Sequence, residues 1–222
     1  MLIDPLFFTI ASVCAIVYAL ITPLNIWLLE RVPRVHSFDD RIALRDNRWA
    51  IARRWLVLLS MFFIIVAFGG IAARVYAKSP ALAVFGFCSG FLFVLTELLW
   101  RSLDLFAVQR VWMAQYAHET DVATKTALRV LITSFHSGVE SLYFVLMAGH
   151  TLASLLFGIA VWSGVLLDRV TSAALFVNAL RLVLRLVEMH GNQRWLATFN
   201  RRVYAPAVTA IYAIIGVWLW LG

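Results

Sequence analysis

The chain has 222 residues, of which 63% are hydrophobic and 14% charged, with a formal net charge of +7. Soluble domains run nearer to roughly 45–50% apolar and about 25% charged, so the composition excludes an ordinary water-soluble globule. The basic balance is accounted for by membrane topology, and with no nucleic-acid module recognisable, no nucleic-acid partner is expected.

The first apolar run, 5–29, is preceded by Asp4 and by no Lys or Arg. It therefore lacks the basic start of a cleavable signal peptide and is expected to be a retained span. Further runs follow at 55–77, 81–100, 139–161, 170–187 and 203–222, the fifth interrupted by Asn178, Arg181 and Arg185. A helix of about 20 residues crosses ~30 Å of hydrocarbon, and an open strand in lipid would leave backbone groups unpaired. The expected fold is all-α: a polytopic transmembrane helical bundle of six spans in a single domain.

The connections at 30–54, 101–138 and 188–202, together with the charged ends of the spans beside them, hold all the Lys and Arg except Arg74, Lys78 and Arg169. Cations concentrate on the cytoplasmic side, so both termini are expected outside and the three connections inside, in a cytoplasmic (inner) membrane. Trp27, Trp55 and Trp100 fall at expected inner boundaries, and Trp162, Trp218 and Trp220 at outer ones. The first connection carries Arg41, Arg45, Arg48, Arg53 and Arg54 among apolar residues, which fits a helix lying against the anionic headgroups of the lipid bilayer. The stretch VATKTALRVLITSF is amphipathic and is expected to run straight into the fourth span. Pro23 and Pro206 sit inside spans, where each leaves a backbone carbonyl without its helical partner.

RSLDLFAVQR (101–110) returns 84 residues later as RLVEMHGNQR (185–194). The same offset carries the second and third spans onto the fourth and fifth, the pattern of a duplicated helical hairpin. Glu97, Arg101 and Asp104 form an i, i+4, i+7 stripe at one inner helix end, and Arg181, Arg185 and Glu188 form another. Three readings are open for these stripes. They anchor helix ends at the interface, they pair across each other as a cytoplasmic gate or latch, or their guanidinium groups hold an anionic ligand.

Polar groups at membrane depth are costly and point to function by default. Glu97, Glu140, His150 and Asn178 are the candidates for a polar path, with Glu140 one turn from His136. His136 and His150 also show the fourteen-residue spacing at which one helix of a b-type cytochrome holds two haems, a resemblance of spacing alone. No second pair of histidines lies on a facing span, so no cofactor is expected unless a partner supplies ligands for haem b. Cys14 and Cys88 lie in apolar runs, without metal spacing, and are expected to be buried thiols. Gly86 and Gly90 form a GxxxG, expected to serve close packing within the bundle ahead of a dimer seam. No P-loop, GxSxG or HExxH is present, and an enzyme is not favoured.

The leading expectation is a membrane protein that conducts or transports a small polar or ionic solute past a charged cytoplasmic gate, with a homo-oligomer or partner membrane subunits as further possibilities. The alternatives are a non-catalytic anchor or accessory subunit of a larger complex, and a haem-binding electron-transfer subunit.

Overall fold

Local sequence sets the helix starts. Asp4 caps α1 (Pro5–Arg31) by accepting the Leu6 N–H at 2.8 Å, and Pro5 occupies the first turn, where its missing N–H leaves nothing unpaired. The computed structural model describes residues 4–191 and 194–222 and holds no strand among them. A short α2 (Phe38–Ala43) and a tight turn at Leu44–Asp46 lead to α3 (Arg48–Tyr76), capped by Asn47, whose side chain accepts from the N–H groups of Trp49 and Ala50. Next, α4 (Pro80–Ser102) continues through a π-helical stretch, Leu103–Trp112, into α5 (Met113–His118). The chain ends with α6 (Val122–Val161), α7 (Leu166–Gly191) and α8 (Arg194–Leu221).

Six helices are long and apolar enough to cross a membrane: α1, α3, the continuous α4–α5 rod, α6, α7 and α8. Large apolar side chains on their outer faces are bare, among them Leu20, Phe62 and Phe85. In water such a surface would aggregate, whereas against lipid it needs no covering. The chain is a multi-pass integral membrane protein, an all-α bundle.

The six helices close a ring in chain order. α1 packs on α3, α3 on α4, α4 on α6, α6 on α7, α7 on α8, and α8 back on α1. Short links join α3 to α4 and α6 to α7 at one end, while the arginine-rich connections lie at the other. The 84-residue offset relates the adjacent hairpins α3–α4 and α6–α7. In the second copy of the repeated motif, Gln193 lies outside the described residues.

Close approach within the ring depends on glycines, two of them in α4. A Cβ on Gly86 would stand 2.8 Å from the Phe157 ring and one on Gly90 2.6 Å from the Phe68 ring. The GxxxG of α4 thus receives aromatic rings from its own bundle. Cys14 is half-buried and Cys88 is exposed on the surface of α4, so the expectation of buried thiols fails for Cys88. A thiol of low polarity tolerates lipid as readily as a protein core.

Proline in α1 is compensated by its neighbour. Pro23 has no N–H to offer the carbonyl of Ala19, and the Thr209 hydroxyl of α8 donates to that carbonyl at 3.2 Å. Thr209→Val is expected to cost about 1 kcal/mol in a Pro23 background and distinctly less in Pro23→Ala, where the helix supplies its own donor. A double-mutant cycle read by unfolding in mixed micelles measures the difference.

The expected connection over 101–138 is helical instead of open. The π geometry brings Asp104 and Gln109, five residues apart, onto one face, where the Gln109 amide donates to Asp104 at 2.9 Å. Beyond it, Ile42, Val108, Met113, Tyr116 and Ile132 make a small apolar core of their own, which ties α2 and α5 to the first turns of α6. Those 40 residues of α6 reach ~60 Å, about twice the hydrocarbon thickness, so its first turns stand outside the bilayer.

Of the cations expected on the outer side, Arg74 and Lys78 cap the ends of α8 and α6, and Arg169 bonds within the α6–α7 link. Arg74 donates to the carbonyls of Trp218 and Leu219 at 2.6 and 2.8 Å, Lys78 to that of Trp162, and Arg169 to that of Ser163 at 3.1 Å. A cation over unpaired C-terminal carbonyls is favourable on both hydrogen-bonding and dipole grounds. Trp218, expected at a lipid boundary, is buried, with its indole N–H donating to Asp168 at 2.7 Å. Trp162 and Trp220 are exposed.

Candidate functional site

All six spanning helices contribute to one cavity of about 620 Å³ in the arginine-rich half of the ring. Its depth follows from residue positions along each helix. Tyr18, Met61, Phe93, His150 and Val208 line the deep part, and Asn25, Arg53, Arg101, Arg185, Glu188 and Arg201 the part nearer the end. Beyond His150 the ring is filled. Phe68, Phe157, Ile64, Ile71, Ile215 and Leu219 are all buried, and the space ends there.

The deep wall is a hydrogen-bonded cluster. The His150 ring stacks on Phe93 at 4.3 Å between centroids and meets Phe68 edge-on at 5.8 Å. Its Nε2 lies 3.1 Å from the Tyr212 hydroxyl and 3.2 Å from the Asn178 amide nitrogen. With the ring proton on Nδ1, Nε2 accepts from both, which fixes the orientation of the ring. Asn178 donates also to Ser154 at 2.8 Å, and its carbonyl oxygen accepts from the Arg181 guanidinium at 3.0 Å. Asn178 is therefore the joint between the neutral cluster and the charged part of the cavity.

Above this cluster the charges are unequal. Arg53, Arg101, Arg181, Arg185 and Arg201 line the cavity, against Glu97 and Glu188. Glu97 pairs with Arg101 at 2.8 Å and accepts from the Trp100 indole, while Glu188 pairs with Arg185 and accepts from the Asn200 amide at 2.6 Å. Among the described residues no carboxylate lies in ion-pair contact with Arg53, Arg181 or Arg201. Buried atoms without a partner include Arg53 Nε, Asn25 Oδ1 and Asn200 Oδ1, all on cavity residues.

The two charged stripes do not cross. Each pairs within its own helix, Glu97 with Arg101 on α4 and Arg185 with Glu188 on α7, because the cavity separates the two helices. Asp104 faces away from both, toward Gln109, Arg54 at 3.6 Å and His136 at 3.8 Å.

Of the expected polar path, Glu97, His150 and Asn178 converge on this region, Asn178 behind the wall. Glu140 does not. It is exposed on α6 and outside the cavity, one turn before Tyr143, the outermost cavity residue on that helix. His136 points its Nδ1 at the Ile132 carbonyl, 2.7 Å away, in the extended part of α6. For haem b, His150 is a poor fit, because its Nε2 is engaged and its ring is clamped between aromatic neighbours. Among the described residues no cluster of three or more His, Cys, Asp or Glu is placed to hold a metal.

Sequence reasoning missed Arg53, Arg201, Tyr18, Tyr204 and Tyr212. The arginines were hidden among many boundary arginines that look alike. The tyrosines carried a legible signal, a hydroxyl at membrane depth that needs a partner. Searches against family models, curated proteins and solved structures find no match to this chain.

Proposed function

We propose that this membrane protein binds a small polar or ionic solute in the cavity and carries it across a cytoplasmic (inner) membrane. The observation that supports this reading is the blind cavity, wide enough for an organic solute and built at membrane depth by all six spans. The arginine-rich end is its cytoplasmic mouth, following the positive-inside rule. Arg185, with 40% of its side chain exposed, marks that mouth. In this reading the charged residues form a vestibule, and the closed gate is the apolar packing beyond His150.

The test uses a Cys14→Ala, Cys88→Ala background. An Asn25→Cys variant is expected to react with a membrane-impermeant thiol reagent from the cytoplasmic side only, as are Arg48→Cys and Arg202→Cys. In proteoliposomes, uptake from a panel of labelled anions, zwitterions and amines should exceed that of empty vesicles and fall to background in His150→Phe. Absence of flux for every class, with Asn25→Cys unreactive from either side, would remove the reading.

A second reading, a membrane subunit, draws support from an apolar groove of about 490 Å³ between α1 and α8 at lipid depth, lined by Val13, Ile16, Val17, Gly216 and Val217. Co-purification of a stoichiometric partner, lost in Gly216→Leu, is its test.

A further inference from the structure

We infer that the cavity takes an amphipathic organic anion, its phosphate or carboxylate head held by Arg53 and Arg181 around the Tyr204 hydroxyl and its apolar body seated against Phe93, Met147 and Val208. The inference rests on the proposed solute cavity and adds the class of the solute.

Charge comes first. Arg101 and Arg185 are neutralised by glutamates one turn away on their own helices, whereas Arg53 and Arg181 are not. The Arg181 guanidinium is held over the Tyr204 ring, 5.2 Å from its centroid, and by Asn178 Oδ1, which orients it without cancelling its charge. Arg53 keeps an unpartnered, buried Nε–H and has Arg101, Tyr204 and Glu97 as its electrostatic neighbours. Two guanidinium groups that line the cavity with no carboxylate in ion-pair contact are unfavourable until an anion enters, and their planar forks match the oxygens of phosphate and carboxylate.

Size and lining come second. About 620 Å³ would hold about 20 waters at liquid density, far more room than an inorganic anion fills. Below the arginines the walls are chiefly Tyr18, Met61, Phe93, Leu146, Met147 and Val208, with Ser60 and His150 as the polar points among them, and they offer contact to a hydrocarbon or aromatic body. A bare anion would leave this lower chamber to water against largely apolar walls, and a cation would meet the unpaired guanidiniums.

Calorimetric titration of the purified protein in nanodiscs tests this with hexyl phosphate, phenyl phosphate, inorganic phosphate, hexanol and hexyltrimethylammonium. The two organophosphates are expected to bind, inorganic phosphate and hexanol at least about tenfold more weakly, and the ammonium not at all. Arg53→Gln and Arg181→Gln should each weaken hexyl phosphate about tenfold or more, with partial recovery in Arg53→Lys and Arg181→Lys, while the exposed Arg110→Gln has no effect. Unchanged melting of each variant shows that it folds.

Equal binding of the ammonium, inorganic phosphate as tight as hexyl phosphate, or glutamine variants that bind like the parent would each overturn the inference. Native mass spectrometry separates two sources of the same chemistry. An anionic phospholipid retained and displaced by hexyl phosphate assigns a lipid headgroup, and hexyl phosphate binding without one assigns a free amphiphile; both support the inference. Anion binding without flux leaves it standing while the transport reading falls, and flux with no preference for anions does the reverse.

Discussion

Phe68→Ala is expected to destabilise the protein by about 3–5 kcal/mol and to make proteoliposomes containing it leak small solutes. The ring is 2% exposed and lies against the bare backbone of Gly90, 5.8 Å from the His150 ring and 5.9 Å from that of Phe157. With Ile64 before it, it fills α3's side of the ring just beyond the cavity floor. Truncation joins the cavity to the packed half and removes the contacts that seal the ring. Two readouts separate the parts of this claim: thermal unfolding in detergent for the packing, and efflux of a trapped dye or ion for the seal. Lost stability with an intact barrier would move the seal outward, to Phe157 and Ile71. Unchanged stability would contradict the burial itself.

Asn178→Leu should cost about 2–3 kcal/mol, a large effect for a near-isosteric change in a membrane protein. Asn178 is 1% exposed and holds four groups at once: His150 Nε2, Ser154 Oγ and, through its carbonyl oxygen, both Nε and Nη2 of Arg181. Leucine fills the volume but leaves the serine hydroxyl and the guanidinium without these partners. The same change releases Arg181 toward the cavity, so chemical denaturation and ligand titration should shift together. Asn178→Asp is the informative companion. A carboxylate there would pair with Arg181 but has no N–H to donate to His150 Nε2 and Ser154 Oγ, so it should destabilise by about 2–3 kcal/mol, as leucine does, and weaken hexyl phosphate about tenfold by supplying the missing counter-charge internally. Titration and melting curves of the two variants, run side by side, distinguish support of the fold from support of the site.

The helices were legible because apolar length is a local property. Asp4, Asn47 and Asp121 cap helix starts in the structure, the last two well ahead of the apolar runs that begin at 55 and 139. The continuation of VATKTALRVLITSF into a span was legible for the same reason, its apolar residues recurring at helical period. The site was only half legible. His150, Asn178 and the charged stripes stood out because polar groups inside apolar runs are conspicuous. Which arginine faces the cavity, and whether Glu97 pairs along α4 or across to α7, did not, since either partner lies within reach of a flexible side chain until the helix positions are known.

By itself the sequence determined that this is a six-span helical membrane protein with its cations massed at one end, because hydrocarbon thickness and backbone pairing leave a chain of this pattern no other stable form. Only the tertiary structure decided that the spans close in a ring around a space, that the space is blocked by Phe68 and Phe157, and that Arg53 and Arg181 face it without carboxylate partners. The physical reason is that rotation of each helix about its axis is set by side-chain packing between helices: rings against Gly86 and Gly90, and Thr209 on the carbonyl freed by Pro23. That packing couples residues up to 190 positions apart, beyond the reach of any local pattern.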